Sequence, residues 1–396
     1  MEALPSRGEI PRRILNLQKH LLQRKIDAAL ILQKADLLYF AGTVQQAYLF
    51  IPADRDPLLM VRRHFQRART ESPIHSIVGI ENPKEMPEIL RKNGYDLPQR
   101  LGLEYDVLPV NLYFACREIF KEASFEDVSG AVREIRSIKS PFEIEMIREA
   151  SRLADRVAMA ARDILKEGES EVSLAGRIEA EARRLGHQGL VRMRMWGGET
   201  FYGHMMAGPS AAVASFPASP TGGTGLGRSH PQGPGFRTVR ANEPILLDYV
   251  FIHNGYLADH TRIFALKGLS RDLLAAHEAM LTLQEMLMKS AKPGVSSGSL
   301  YEAAVSFAAD RGYGEFFMGA DAQRVRFVGH GIGLELDEYP VLGEKGKTPL
   351  QEGMVIALEP KLVFPGIGVV GIENTHVVTR DGLQRLTQFP DEVVIL

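Results

Sequence analysis

Near the start of the chain Ile14, Leu17, Leu21 and Leu22 recur at helical spacing, and the apolar run DAALILQ follows directly, which predicts a helix and then a strand. The alternation continues through PLLMVRR, HSIVGIE, the helical KEMPEILRKNG and RLGLEYD, the pattern of a mixed α/β domain placed at residues 1–135. At Ser140-Pro141 a helix-start signal opens a strongly helical run to Leu165, with Ile144, Ile147, Leu153, Val157 and Ile164 among its apolar positions. A long helix is expected here, joining the first domain to a second over residues 136–396. Within that second part, a shift of 126 residues lays KEGESEVSLAGRIEAEARRLG (166–186) over KPGVSSGSLYEAAVSFAADRG (292–312), with 7 identities in 21 positions. Each copy follows a helical run, 141–165 or 269–291, and precedes a β-rich stretch, so two αα-then-β halves are expected to pack as pseudo-symmetric lobes around a shared site.

Composition narrows the function classes. At ~150 residues per domain, 396 residues make two or three domains. With 45% hydrophobic and 24% charged residues the chain reads as an ordinary globular protein, and disorder, collagen and a disulfide scaffold are excluded. Lys plus Arg number 47 against 49 Asp plus Glu, a net charge of −2, so no global field favours nucleic acid or an acidic membrane. The lone Cys116 fits a reducing, cytoplasmic setting. Charges run through the first thirty residues, without the ~7–15-residue apolar core of a signal peptide, and no stretch approaches ~18 uninterrupted apolar residues, so neither export by that route nor a membrane span is expected.

The candidate chemistry lies in the β-rich stretches. PILLDYVFIHNGYLADHTRIF places Asp248 and Asp259 on either side of the turn signal Asn254-Gly255, a hairpin signature that lets both aspartates converge. Further on, RFVGHGIGLELDEYP offers His330, VIALEPK offers Glu359 and VVGIENTHVV offers Glu373, each polar group set in strand-like apolar sequence. Isolated buried carboxylates are costly, and a cation neutralises several at once, so four carboxylates and an imidazole read as a cage for one or two divalent metals. Such a ligand set suits Mn²⁺, Co²⁺, Fe²⁺ or Zn²⁺. Taken singly, each residue has another reading: a loop-edge carboxylate for Asp248 or Asp259, a salt bridge to Lys361 for Glu359, a solvated strand end for Glu373 and a structural histidine for His330.

In type and order, Asp248, Asp259, His330 in GHGIG, Glu359 in LEP and Glu373 in GIEN resemble the five-ligand set of the pita-bread metallopeptidases, which include Xaa-Pro aminopeptidases, prolidases and methionine aminopeptidases. The resemblance covers most of residues 135–396, and REIRSIKSPFEIEMIREA and the amino-terminal domain are similar to the proline-specific branch. It implies a creatinase-like N-terminal α/β domain followed by an α+β pita-bread domain with an internal pseudo-twofold repeat. It also implies two divalent ions, with Asp248 chelating one, Asp259 and Glu373 bridging, and His330 and Glu359 completing the other. Two metals about 3.5–4 Å apart share a water and lower its pKa, and Glu359 can relay the proton to the leaving nitrogen. Arg262 in DHTR is expected to brace the metal carboxylates or to form an ordinary ion pair. The activity implied is hydrolysis of short peptides with proline second, by a homodimer. Two rivals stand beside it: a hydrolase for another amide or amidino substrate, as in creatinase, and a binding module on the same fold.

The chain departs from the proline-specific pattern in its auxiliary histidines. Arg326 stands four residues before His330, and Asp337 takes a histidine position in GLELDE, where an ionised carboxylate cannot donate to an oxyanion. Arg326 and Asp337 are therefore candidate catalytic replacements, each with a surface pair as its alternative. For the third histidine, one alignment of the Gly/Pro/Ser-rich segment 207–235 places Ser215 and another places His230, which is favoured slightly although it lies one residue further from Asp248 than the resemblance leads one to expect. His204 is a further candidate for substrate contact. Trp196, with Phe201 and Tyr202, reads as a core aromatic or a pocket wall, and Arg192 and Arg194 read as a solvated strand face or a clamp for a substrate carboxylate. His253 and His376 are not expected to be ligands.

Overall fold

The computed structural model describes residues 8–320 and 324–396. The chain divides into two compact units, one formed by the residues up to Arg136 together with Arg194–Trp196, the other by Ser137–Met193 and Gly197–Leu396.

The first unit opens with α1 (Glu9–Arg24), which buries Ile10, Ile14, Leu17 and Leu21 along one stripe. There follow β1 (Ala28–Ile31), α2 (Lys34–Ala41), β2 (Ala47–Pro52), β3 (Leu58–Val61), α3 (Phe65–Glu71), β4 (Ser76–Gly79), α4 (Met86–Lys92), β5 (Arg100–Leu103), α5 (Val110–Ile119) and β6 (Ser124–Asp127), and α6 (Ser129–Ser137) leads out of the unit. The sheet runs β4-β3-β2-β1-β5-β6, antiparallel where β2 meets β1 and β3 and parallel elsewhere. The unit holds a buried charge network: Asp36 is buried and holds Arg136 at 2.6 Å and Arg194 at 2.7 Å, and Arg194 also grips Asp106 at 2.7 Å. Burial works to raise the Asp36 carboxyl, and the two guanidiniums outweigh it and hold that carboxyl low. This overturns both readings of Arg194, which is neither solvated nor available to a substrate.

In the second unit Ser140 caps α7 (Pro141–Ile164) through a reciprocal box, its hydroxyl accepting from the Glu143 N–H at 3.2 Å while the Glu143 carboxylate accepts from the Ser140 N–H at 3.0 Å. Then come α8 (Glu171–Arg184), β7 (Gly203–Ala207), β8 (Ile245–His253) and β9 (Tyr256–Ala265). The order repeats with α9 (Arg271–Ser290), α10 (Ser297–Asp310), β10 (Phe327–Gly331), β11 (Glu338–Gly343), β12 (Val355–Leu358), β13 (Lys361–Phe364), β14 (Gly368–Gly371), β15 (Asn374–Thr379) and β16 (Gly382–Arg385), closed by the short β17 (Val394–Ile395). The sheets are β17-β9-β8-β7, β11-β10-β12-β15-β16 and the pair β13-β14. Leu153, Val157, Leu174 and Ile178 of the first helix pair pack on Leu247, Tyr249 and Phe251. Met280, Leu283, Leu300 and Ala304 of the second pack on Val328, Ile356 and Leu358. Each helix pair thus covers its own sheet, which is the repeated αα-then-β architecture of the pita-bread fold. Among the described residues no helix is long and apolar enough to cross a membrane.

Candidate metal centre

The β8–β9 hairpin sets the first two carboxylates. His253 pairs with Tyr256 across Asn254-Gly255, both with positive φ (47° and 84°), the backbone of a tight two-residue turn whose twist matches its strands. In that register Asp248 faces Thr261 and Asp259 faces Val250, so the two aspartates project from one face of the pair. A bridge between Thr261 and Glu373 brings the start of β15 alongside β9, and the Thr261 hydroxyl donates to Glu373 Oε2 at 2.8 Å. Thr375 fixes Asp259 from the other side, accepting from its N–H and donating to its carbonyl, each at 2.9 Å.

His330 enters from β10, where it faces Ala357 of β12 and Val341 of β11. A Cβ at Gly331 would lie 2.1 Å from the Tyr339 carbonyl, so a glycine there lets β11 close in at the bulge that turns the imidazole. Its Nδ1 lies 3.1 Å from the Gly331 carbonyl, a contact the Nδ1–H tautomer satisfies, which leaves the Nε2 lone pair directed at the carboxylates. Nε2 stands 3.6 Å from Glu359 Oε1, 3.9 Å from Asp259 Oδ2 and 4.0 Å from Glu373 Oε1.

Glu359 directly follows β12, and two residues beyond it Lys361 opens β13. Its ammonium lies 2.6 Å from Glu373 Oε2, 2.8 Å from Glu359 Oε2 and 3.3 Å from Asp248 Oδ2, and its side chain is 1% exposed. Each glutamate thus turns one oxygen to His330 and the other to Lys361. Burial works to lower the Lys361 ammonium, yet the Asp248, Glu359 and Glu373 charges overcome it and hold it well above the usual lysine range. Burial raises the Asp259 carboxyl strongly, reinforced by Glu373 and Asp248. Burial also lifts Glu373 to about 7 against the pull of Lys361.

Comparison with known proteins fits this centre. Residues 145–380 match the metallopeptidase family M24, and residues 13–138 match the creatinase/prolidase N-terminal domain. The chain belongs to metallopeptidase family M24. The Bacillus subtilis protein YkvY is 30% identical to this M24 chain over 394 residues, 97% of this chain and 99% of its own length. The Xaa-Pro dipeptidase of Pyrococcus furiosus is 27% identical over 390 residues, 96% of this chain and 99% of its own. Among solved structures, the Xaa-Pro dipeptidase from Bacillus anthracis superposes with a TM-score of 0.83 at 25% identity, over 98% of this chain and all (100%) of that one. The prolidase from Pyrococcus horikoshii OT3 gives 0.81 at 26% identity, over 97% and 100%.

M24 membership implies divalent metal ions, and the donors on the His330 side suit one. Among the described residues, Asp259, His330 and Glu373 form a group whose ligand atoms all lie within 4.8 Å of one another. Two ligands each ~2.1 Å from one ion at a tetrahedral angle stand ~3.4 Å apart, close to the 3.6–4.0 Å around Nε2. On the other side, the oxygens of Asp248, Glu359 and Glu373 are bound to Lys361.

The remaining residues of this M24 chain fall at different distances from the cluster. His204, the further candidate for substrate contact, lies on β7 and pairs in register with Asp248. Burial lowers its imidazole pKa, opposed by Asp248 and reinforced by Lys361 and His230. His230 is exposed on the 207–235 segment, and the Ser215 hydroxyl donates to the Pro231 carbonyl. Asp337 is half-buried on the bend before β11. Arg326 is not brought into the cluster: its guanidinium is 72% exposed and pairs with Glu344 at 2.9 Å. Arg262 is fully buried, but it donates to the backbone carbonyls of Thr261, Glu373, Phe389 and Pro390 and pairs with Asp391 at 3.0 Å; it fixes the main chain that carries Glu373 rather than bracing the carboxylates. Trp196 is 95% exposed, which rules out a core aromatic, whereas Tyr202 is buried against His187. The sequence signal for Lys361 was its i, i+2 spacing from Glu359, read as a bare salt bridge.

Proposed function

We propose that this chain hydrolyses short peptides with proline second, in a reaction that depends on divalent metal held by Asp259, His330, Glu373 and Glu359. The observation that carries this reading is the buried grouping of Asp259 and Glu373 with His330. The substrate class is supported by near-full-length relatives named Xaa-Pro dipeptidase. A divalent ion at that position supplies a Lewis acid for the scissile carbonyl and makes a water more acidic. The chain's own residues do the rest. Glu359, with one oxygen on the His330 side, takes a proton from the attacking water and passes it to the leaving nitrogen. His204 and, beyond it, His230 offer imidazole N–H groups to the substrate carbonyl. Asp337 remains a candidate contact on its bend, while Arg326 is left out because Glu344 engages it at the surface.

The two-ion complement of the resemblance needs Asp248 to chelate the second ion, on the side where Lys361 is bound. That lysine favours a second reading, in which the cluster binds a cation without hydrolysing peptides. Location in the cytoplasm is supported by the single Cys116, and assembly as a homodimer, on the resemblance, is checked by light scattering of the purified chain. The deciding experiment offers metal-stripped protein an Xaa-Pro dipeptide and an Xaa-Pro-Yaa tripeptide, before and after addition of Mn²⁺, Co²⁺, Zn²⁺ or Fe²⁺. Metal-dependent cleavage supports the peptidase, and the preferred length separates dipeptidase from aminopeptidase. Tight metal binding without cleavage of either supports the second reading.

A further inference from the structure

We infer that the Lys361 ammonium is a permanent internal cation in place of a second metal, so that the chain binds one divalent ion, on the His330 side of the cluster. The inference rests on the metal-dependent reading above and changes its stoichiometry.

The argument is geometric. An ammonium has three N–H donors, and Lys361 meets three carboxylates within 3.3 Å, one oxygen from each of Asp248, Glu359 and Glu373. A divalent ion chelated by Asp248 and shared with Glu373 would have to occupy the space bounded by these same oxygens. The ammonium fills the space between these oxygens, and a divalent ion placed there would meet its positive charge at contact distance, while the ammonium is covalently tethered there.

The lysine also has a built path to this position. β13 pairs Lys361 with Gly371 of β14, and a Cβ at Gly371 would lie 2.6 Å from Lys361 Cα and 3.1 Å from its Cγ. Only the absence of a side chain at position 371 lets the lysine stem pass. The backbone holds its base as well, since the Lys361 carbonyl accepts from the Met318 N–H at 2.9 Å. With its side chain 1% exposed, the lysine has no solvent-facing route along which to yield to an incoming ion. Glu359 and Glu373 are correspondingly divided, with Oε2 of each on Lys361 and Oε1 of each towards His330. Asp248, chelator of an ion in the two-metal scheme, here has the ammonium as its cation, and the ion-binding set contracts to Asp259, His330, Glu359 and Glu373.

The test is metal content, read independently of turnover. Stripped full-length chain is equilibrated with excess Mn²⁺ or Zn²⁺, and bound ions per chain are counted by elemental analysis and by native mass spectrometry, for wild type, Lys361→Met and Lys361→Gly. The expected result is one ion per wild-type chain and two per chain in both variants. Two ions of comparable affinity on the wild type overturn the inference, as does no ion at all. Variants that fold and stay at one ion overturn it too. Should both variants fail to fold, the wild-type count still decides. One ion with no peptide cleavage leaves the inference standing and removes the peptidase reading, whereas cleavage with two ions bound does the reverse.

Discussion

Removing the Lys361 charge from the metal-free chain has a consequence that can be worked from the cluster. In Lys361→Met the carboxylates of Asp248, Glu359 and Glu373 lose a cation held at 2.6–3.3 Å, while Glu359 and Glu373 stay buried. Breaking a buried ion pair by deleting one partner costs ~3–5 kcal/mol. The protein can limit that cost by binding one more proton. For a carboxyl with an unfolded pKa of ~4.3, taking up that proton at pH 7 costs about 1.36 × (7 − 4.3), or ~3.7 kcal/mol, and at pH 5 only ~1 kcal/mol. Lys361→Met should therefore lower the unfolding free energy of stripped protein by ~3–4 kcal/mol at pH 7 and by ~1 kcal/mol at pH 5. Urea unfolding followed by far-UV circular dichroism at the two pH values measures both. A loss below ~1 kcal/mol at pH 7, or an equal loss at both, would refute the idea that the ammonium neutralises these carboxylates.

Other expectations follow from the same geometry. Asp259→Asn and Glu373→Gln should each cut metal-dependent hydrolysis by at least ~100-fold while circular dichroism reports an intact fold, and unchanged turnover in either would sink the assigned cluster. Because burial lifts Glu373 to about 7 and Asp259 above the usual range, an ion must displace protons near neutrality. Calorimetry of Mn²⁺ binding in two buffers of different ionisation enthalpy should report proton release at pH 6.5, with affinity falling as the pH is lowered from 7; binding without proton release would contradict those shifts. His187 is buried, with Nε2 at 3.0 Å from the Val250 carbonyl and Nδ1 accepting from the Gly189 N–H, and burial lowers it to about 4. Its native pKa lies below its unfolded value of ~6.5, so the unfolded chain takes the proton first and stability drains away as the pH drops from ~6.5 towards 4. His187→Gln should flatten that part of the urea-midpoint profile, and an unaltered slope would count against the assignment.

Local signals were legible and distant ones were not. The Asn254-Gly255 turn fixes the β8–β9 register by itself, so the convergence of Asp248 and Asp259 could be read from a short stretch of residues. The repeated αα-then-β order could be read for a similar reason, since each half buries its own helix pair on its own sheet. Arg194 was misread because its apparent strand alternation carried no weight beside Asp36, 158 residues away, which holds it. The tie from Lys361 to Glu359 is visible as two residues on either side of Pro360, on the link from β12 into β13. Its reach to Asp248 is not, because that depends on how β13 is set against the β8–β9 hairpin. Arg326 lies outside the cluster for the complementary reason: a hydrogen bond to Glu344, just past the end of β11, engages it at the surface.

The central claim is that the group around His330 turns metal binding into peptide hydrolysis. The most direct measurement is the rate of Xaa-Pro dipeptide cleavage by stripped wild type titrated with Mn²⁺, set beside Asp259→Asn at the same metal concentrations. The account predicts that wild-type cleavage rises with bound metal and saturates as the site fills, with the variant at background throughout. Cleavage that ignores the metal, or a variant that matches the wild type, would contradict it.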